Sequence, residues 1–260
     1  MKMFALALVA LTLATSAHAE LMAYDQFTDY TDGNLVGQGQ GSGWGANKWV
    51  DIGDGDTVSV SNSLGLTNSA LPGLSAGGGA MTGTASGDLA GVKRNLETAL
   101  LTGTNYFGFI MQVTNSPYHA AFAIDDGISQ CVAYGGIWDA QGTWQLARKD
   151  GAGWGRINTG IAVTTDPTFF VIKLELGATD TARLFVNPAN AAALAGAGDA
   201  SYTYGQQFSQ SGPALPAFWR QDNGGNTGNF TIDEIRFGTE AEDMFSAIPR
   251  SPNGTIIFIR

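Results

Sequence analysis

Residues 168–187 read TFFVIKLELGATDTARLFVN, and their alternation decides the fold. Phe170, Ile172, Leu174 and Leu176 share one parity, while Lys173 and Glu175 take the other. Successive side chains of an extended chain point to opposite faces. A period of two therefore predicts a strand over 168–176, apolar set inward, Lys173 and Glu175 outward. Residues 177–180, GATD, interrupt the run with turn-forming types, and 181–187 resume it. The pattern continues on both sides. In 106–113 the set Phe107, Phe109, Met111 and Val113 lies on one face. Residues 121–124 and 128–134 flank Asp125-Asp126-Gly127, and an Asp-Gly pair between apolar runs predicts a hairpin. Further strands are expected at 143–148, 215–220 and 229–237. The last changes phase, because Phe230 and Ile232 have one parity and Ile235 and Phe237 the other. A β-bulge near Asp233-Glu234 would keep all four inside. Only 188–196, rich in alanine, predicts a short surface turn of helix.

Many short strands joined by glycine-rich segments, with no alternating helices, define an all-β chain: a two-sheet antiparallel β-sandwich or a barrel. Composition agrees. Of 260 residues 36 are glycine, and only 14% are charged, too few for a coiled coil. An apolar share of 44% is too high for disorder. A single large all-β domain suits this length. The net charge of -10 repels a phosphate backbone or an anionic lipid surface, which argues against nucleic acid as a partner.

The chain opens with Lys2, an apolar run over 3–13, and Ser16-Ala17-His18-Ala19. Basic start, short apolar middle and small residues at the cut predict a secretory signal peptide over 1–19, with the mature chain starting at Glu20. The apolar run is too short to span a bilayer, so no transmembrane segment is expected after its removal. Cys131 is the sole cysteine, so no intramolecular disulfide can form. Loss of the leader removes His18 and leaves His119 as the one histidine.

Few residues here are suited to catalysis. A glycosidase needs two carboxylates across the scissile bond, and no glutamate is followed two positions later by aspartate. Asp233-Glu234 is the nearest acidic pair in a strand, and it reads as a solvent-facing pair beside the bulge. Asp125-Asp126 reads as turn chemistry. No G-x-S-x-G elbow is present. Cys131 and His119 both flank the predicted hairpin turn, but Cys131 reads as a buried strand residue. Zinc would need more imidazole or thiolate than the chain offers. Calcium is the metal whose hard oxygen ligands are available: Asp51, Asp54 and Asp56 share a glycine-rich loop, and Asp222, Asn223 and Asn226 form a weaker set. An ordinary acidic turn is the competing reading of both.

Binding residues are easier to name. Indoles stack on the apolar faces of sugars while carboxylates and amides take the hydroxyls. Trp144 alternates with Leu146 and reads as core. Trp44 and Trp154 sit in matching segments, GSGWG at 41–45 and GAGWG at 151–155, and Trp138 follows Gly135-Gly136 beside Asp139. Trp44, Trp138, Trp154 and Asp139 are thus the candidate carbohydrate contacts. The competing reading, strongest at Trp44, has each indole folding back to plug an end of the sandwich. Residues 255–259, TIIFI, predict either a final internal strand or one offered to a partner.

Three stretches resemble bacterial exported domains of the concanavalin A-like, laminin-G-like jelly-roll family. Residues 24–45, YDQFTDYTDGNLVGQGQGSGWG, resemble its opening; 169–188, FFVIKLELGATDTARLFVNP, its central hairpin; and 229–238, NFTIDEIRFG, its final strand. The resemblance implies two packed, curved sheets over 20–245, followed by a tail at 246–260, and it favours calcium at a sheet rim. It implies no single chemistry, since lectins, glycosidases, lyases and adhesive modules share the fold. The ending 251–260, SPNGTIIFIR, departs from the Pro-Glu-Pro sorting tag many members carry. The combined expectation is an exported, non-catalytic sandwich that binds a neutral glycan or cell-surface polymer, secreted or held at the surface. The alternatives are a polysaccharide-active enzyme on the same fold and a purely structural surface protein.

Overall fold

The computed structural model describes residues 21–52, 58–71, 78–84, 90–114, 120–126, 131–137, 142–151, 153–211, 215–220 and 229–246. Within them run β1 (Ala23–Asp25), β2 (Gly33–Asn34), β3 (Val50–Asp51), β4 (Val58–Ser61), β5 (Ala80–Thr84), β6 (Ala90–Lys93), β7 (Gly103–Val113) and β8 (Ala120–Asp125). They continue as β9 (Val132–Ile137), β10 (Thr143–Asp150), β11 (Gly153–Ala162), β12 (Thr168–Leu176), β13 (Thr181–Val186), β14 (Ala200–Thr203), β15 (Leu215–Arg220) and β16 (Asn229–Gly238). One sheet has the order β14-β13-β12-β7-β16-β5-β4-β2, with β1 also on β16; the other has β11-β10-β9-β8-β15-β6-β3. Every pairing is antiparallel. The fold is an all-β two-sheet sandwich.

The period-two reading places the core correctly. Phe107, Phe109, Met111 and Val113 of β7 join Phe170, Ile172, Leu174 and Leu176 of β12 in one cluster between the sheets. The Phe109 ring lies 4.8 Å from Phe122 of the opposite sheet and 5.2 Å from Phe170 beside it. Trp144 and Leu146 are buried in the same cluster. The Asp-Gly hairpin forms too, with Asp125 of β8 opposite Val132 of β9. Residues 127–130 of its turn lie outside the described residues. In 188–196 the helical turn is a 3-10 helix, Ala191–Ala195, capped by the Asn190 side chain on the Ala193 amide.

The bulge on β16 also falls at the expected place. Between Asp233 and Arg236 the strand advances three residues while β7 advances two, from Ile110 to Gly108. Glu234 takes up the extra residue with φ of 54°. One added residue flips parity, so Phe230, Ile232, Ile235 and Phe237 all reach the core. At the same point β16 changes neighbour, from β5 to β1.

Two expectations need correction, for one reason. Lys173, expected in solvent, is only 7% exposed. Asp233 and Glu234, expected to be a solvent-facing pair, are both fully buried. The outer face of the larger sheet is itself covered. Leu66, Leu71, Leu194 and Met244 pack on Tyr106, Ile110, Phe169, Val171 and Phe185 in a second apolar cluster. Polar groups trapped beneath that layer must find partners. Lys173 donates to the Leu194 carbonyl at 3.3 Å and pairs with Glu175 at 3.2 Å. Asp233 accepts from the Leu66 and Glu234 amides, and Glu234 accepts from Gln26 and from Arg236 at 3.1 Å. Their carboxylate oxygens are engaged in these buried bonds.

Candidate functional site

The site is built by β10 and β11 at one edge of the seven-stranded sheet. Cross-strand partners share a face, and the register sets Lys149 opposite Trp154, Ala147 opposite Arg156 and Gln145 opposite Asn158. On the other side Ala147 meets Tyr134 and Lys149 meets Val132 of β9. Trp144 and Leu146, of the alternate parity, point into the core. The outer face therefore carries Trp154, Arg156 and Asn158 at every second position of an edge strand. Alternate residues are roughly 7 Å apart, so the row spans about 14 Å, the length of a short oligosaccharide.

What holds these groups is local. Trp154 is 45% exposed. Its ring centroid lies 5.8 Å from that of Tyr134 at a tilt of 35°. The small methyl of Ala147, which the register sets between Tyr134 and Arg156, leaves room for the indole to lean across to Tyr134. Lys149 places its Nζ 5.5 Å from the same indole centroid. Gln145 donates to Asn158 Oδ1 at 2.8 Å, which fixes both amides. Inward from this edge lies a floor of small apolar groups: Ala121, Ala123, Val132, Tyr134 and Ala147, with Ile52 against it. Burial, and secondarily the Asp125 charge, raises the Tyr134 hydroxyl well above the usual phenol value, so it stays neutral.

Asp150 ties the end of β10 to β14 and the segment after it. Its oxygens accept from the Gly205 and Gln206 amides at 2.7 and 3.0 Å and from the Tyr202 hydroxyl at 3.0 Å. Burial pushes its carboxyl up, but these bonds and the Arg148 charge outweigh that and hold it below the usual range. Arg148 lies over Tyr202, 4.0 Å from the ring centroid.

Trp44 is a correction. It is 1% exposed and cannot stack on a ligand. Its Nε1 donates to the Tyr24 carbonyl at 2.9 Å, and the Arg94 guanidinium lies 5.0 Å from its ring. The same cation sits 2.9 Å from the buried Asp25, which also accepts from Tyr30 at 2.5 Å. Trp49 donates to that tyrosine at 3.0 Å. Burial lifts the Asp25 carboxyl to about 6, against the pull of Tyr30 and Arg94. This is a packed structural knot.

The remaining candidates are placed as follows. Asp51 is exposed on β3, while Asp54 and Asp56 lie outside the described residues. So do Trp138, Asp139, His119, Asp222, Asn223, Asn226 and residues 255–259. Among the described residues no three of His, Cys, Asp and Glu group as metal ligands, and no helix is long and apolar enough to cross a membrane. Cys131 is buried, with its thiol 3.8 Å from the Gln206 carbonyl. Tyr134, Lys149, Arg156, Asn158 and Gln145 were not evident as site residues in the sequence. The signal was there: Trp-x-Arg-x-Asn at 154–158 alternates, but three glycines mask it as a loop.

No protein-family model matches the sequence, and no curated protein matches it. Solved structures do share the fold. Domain 4 of AbnA, a GH43 extracellular arabinanase from Geobacillus stearothermophilus, solved in complex with arabinotriose, superposes with a TM-score of 0.52 at 14% identity, over 88% of this chain and 99% of that one. A glycosyl hydrolase family protein from Mycobacterium fortuitum gives 0.50 at 12% identity, over 84% and 99%. The receptor binding domain of a botulinum neurotoxin C/D mosaic serotype gives 0.52 at 12% identity, over 85% of this chain but 48% of that one. At such identities the likeness is one of fold: a β-sandwich.

Proposed function

We propose that this is an exported, non-catalytic β-sandwich of the concanavalin A-like, laminin-G-like kind, which binds a glycan on the outer face of β10 and β11. The observation that carries the reading is Trp154: an indole 45% exposed on a rigid strand, braced by Tyr134 and followed by Arg156 and Asn158 on the same face. An exposed, immobilised indole gives a sugar ring an apolar platform at little entropic cost, and neighbouring polar groups orient the hydroxyls. The arabinanase domain with the same fold was solved with arabinotriose, which supports a glycan as ligand. Export follows from the leader at 1–19, with the mature chain beginning at Glu20. One weak calcium site at Asp51, Asp54 and Asp56 completes the proposal; absence of heat on adding calcium to the chelated protein would remove it.

The test is a titration of tryptophan emission with arabinotriose, soluble β-glucans and a wider glycan panel, on the wild type and Trp154→Ala. At least one glycan shifts the wild-type spectrum, and the variant loses that response. Unchanged spectra across the panel, or an unaltered response in Trp154→Ala, overturn the reading.

A further inference from the structure

The hairpin carrying Trp154 has a charge opposite to that of the molecule. Residues 143–162 hold Arg148, Lys149 and Arg156 against one acid, Asp150, a local balance of +2 in a chain whose total is -10. Asp150 is committed to the Gly205 and Gln206 amides and to Tyr202, and Arg148 lies beside it over the Tyr202 ring. The register leaves Lys149 and Arg156 on the outer face with Trp154. The nearest acid placed on that face by the pairing is Asp125, opposite Val132 and so two strands from Lys149, about 10 Å away. Ion pairs among the described residues tie Asp25, Glu175 and Glu234 to Arg94, Lys173, Arg183 and Arg236. None includes Lys149, whose Nζ instead stands 5.5 Å from the indole centroid.

We infer that the sugar stacked on Trp154 carries an anion, a uronate carboxylate or a sulfate ester, which the ammonium of Lys149 receives. This rests on the glycan reading and narrows it, replacing the neutral glycan expected from a sequence with only 13 Lys and Arg. The two scales differ physically. Net charge governs long-range approach of a polyanion such as nucleic acid, whereas screening beyond roughly 8–10 Å leaves contact recognition to the charges at the site. A ring stacked on the exposed part of the indole presents its substituents to a cation already standing over that indole, 5.5 Å from its centroid. Charge-assisted hydrogen bonds are the stronger class, so one such contact discriminates charged from uncharged versions of the same sugar.

The experiment compares trigalacturonic acid with its fully methyl-esterified form, which keeps the backbone and removes the charge. Arabinotriose and a sulfated galactan trisaccharide are titrated alongside. The ionised uronate, the sulfated sugar or both bind roughly tenfold tighter than the uncharged oligosaccharides, and which of the two does so identifies the anion. Lys149→Gln removes most of that preference, while Trp154→Ala weakens the binding of every sugar. Equal affinity for charged and uncharged forms, or a preference untouched by Lys149→Gln, overturns the inference but not the glycan reading. Failure of every sugar to bind overturns both.

Discussion

The segments GSGWG at 41–45 and GAGWG at 151–155 differ at one position, yet their indoles meet opposite fates. Trp44 is 1% exposed and Trp154 45%. The difference lies in what the flanking chain is doing. Around Trp44 the backbone turns repeatedly: Gly41, Gly43 and Gly45 all have positive φ, and Ser42 bridges to Tyr24. Those turns roll the indole under the chain, where the Tyr24 carbonyl and Arg94 await it. Around Trp154 only Gly151 has positive φ among the described residues of the segment, and from Gly153 the chain is extended as an edge strand. A strand end cannot fold its side chain under itself, so the indole lies on the sheet surface. Local sequence sets an aromatic beside glycines; tertiary pairing decides whether it becomes core or surface.

Breaking the Trp44 knot should cost most. Trp44→Ala removes a fully buried indole and is expected to destabilise by about 3–5 kcal/mol in urea unfolding. Arg94→Met leaves the Asp25 carboxylate buried beside no cation and should cost a similar amount. Trp154→Ala, by contrast, should change stability by less than about 1 kcal/mol.

The glycines make the next test. A Cβ on Gly43, already at φ of 79°, would run into the Met22 carbonyl and Ala23. Both are backbone-anchored and cannot yield, so Gly43→Ala should lose several times more stability than Gly155→Ala. The atoms nearest a Cβ on Gly155 belong to the guanidinium of Arg148, at 2.8 Å from Nη2, and that flexible end can swing aside.

The two aspartates titrate in opposite senses. The Asp25 carboxyl is raised to about 6 in the folded protein by burial. Its unfolded value is about 3.9, so the stability it contributes is fully present below pH ~4 and is lost as pH rises through ~6. Asp150 is lowered, so its contribution is present above its unfolded value and is lost only as pH falls below it. In urea unfolding across pH 4–6, Asp25→Asn should flatten the slope, and Asp150→Asn should leave it nearly unchanged there. A flattening in Asp150→Asn alone would contradict this assignment.

Much of the sandwich is legible in the sequence. Alternation in 106–113 and 168–176 works because one face of β7 and β12 meets a continuous apolar core, and the phase change in 229–237 needs a bulge for the same reason. Lys173, Asp233 and Glu234 were misread because alternation says which residues share a face, not what covers the other face. The strand β11 was missed outright. Gly153, Gly155 and Gly160 depress its β-propensity, and an edge strand packed on one side shows no strong apolar period. The Asp25–Arg94 pair spans 69 positions in sequence, a separation at which no local pattern operates. Of the indole candidates, Trp154 lies exposed on the sheet surface and Trp44 inside the core, a division that no five-residue window contains.

The most direct test follows both indoles at once, in the protein labelled with nitrogen-15 at tryptophan. Each Nε1–H gives its own resonance, assigned through Trp44→Phe and Trp154→Phe. On addition of a glycan that binds, the Trp154 resonance should shift progressively while Trp44, locked on the Tyr24 carbonyl, stays in place. A shift at Trp44 with none at Trp154 would contradict the account.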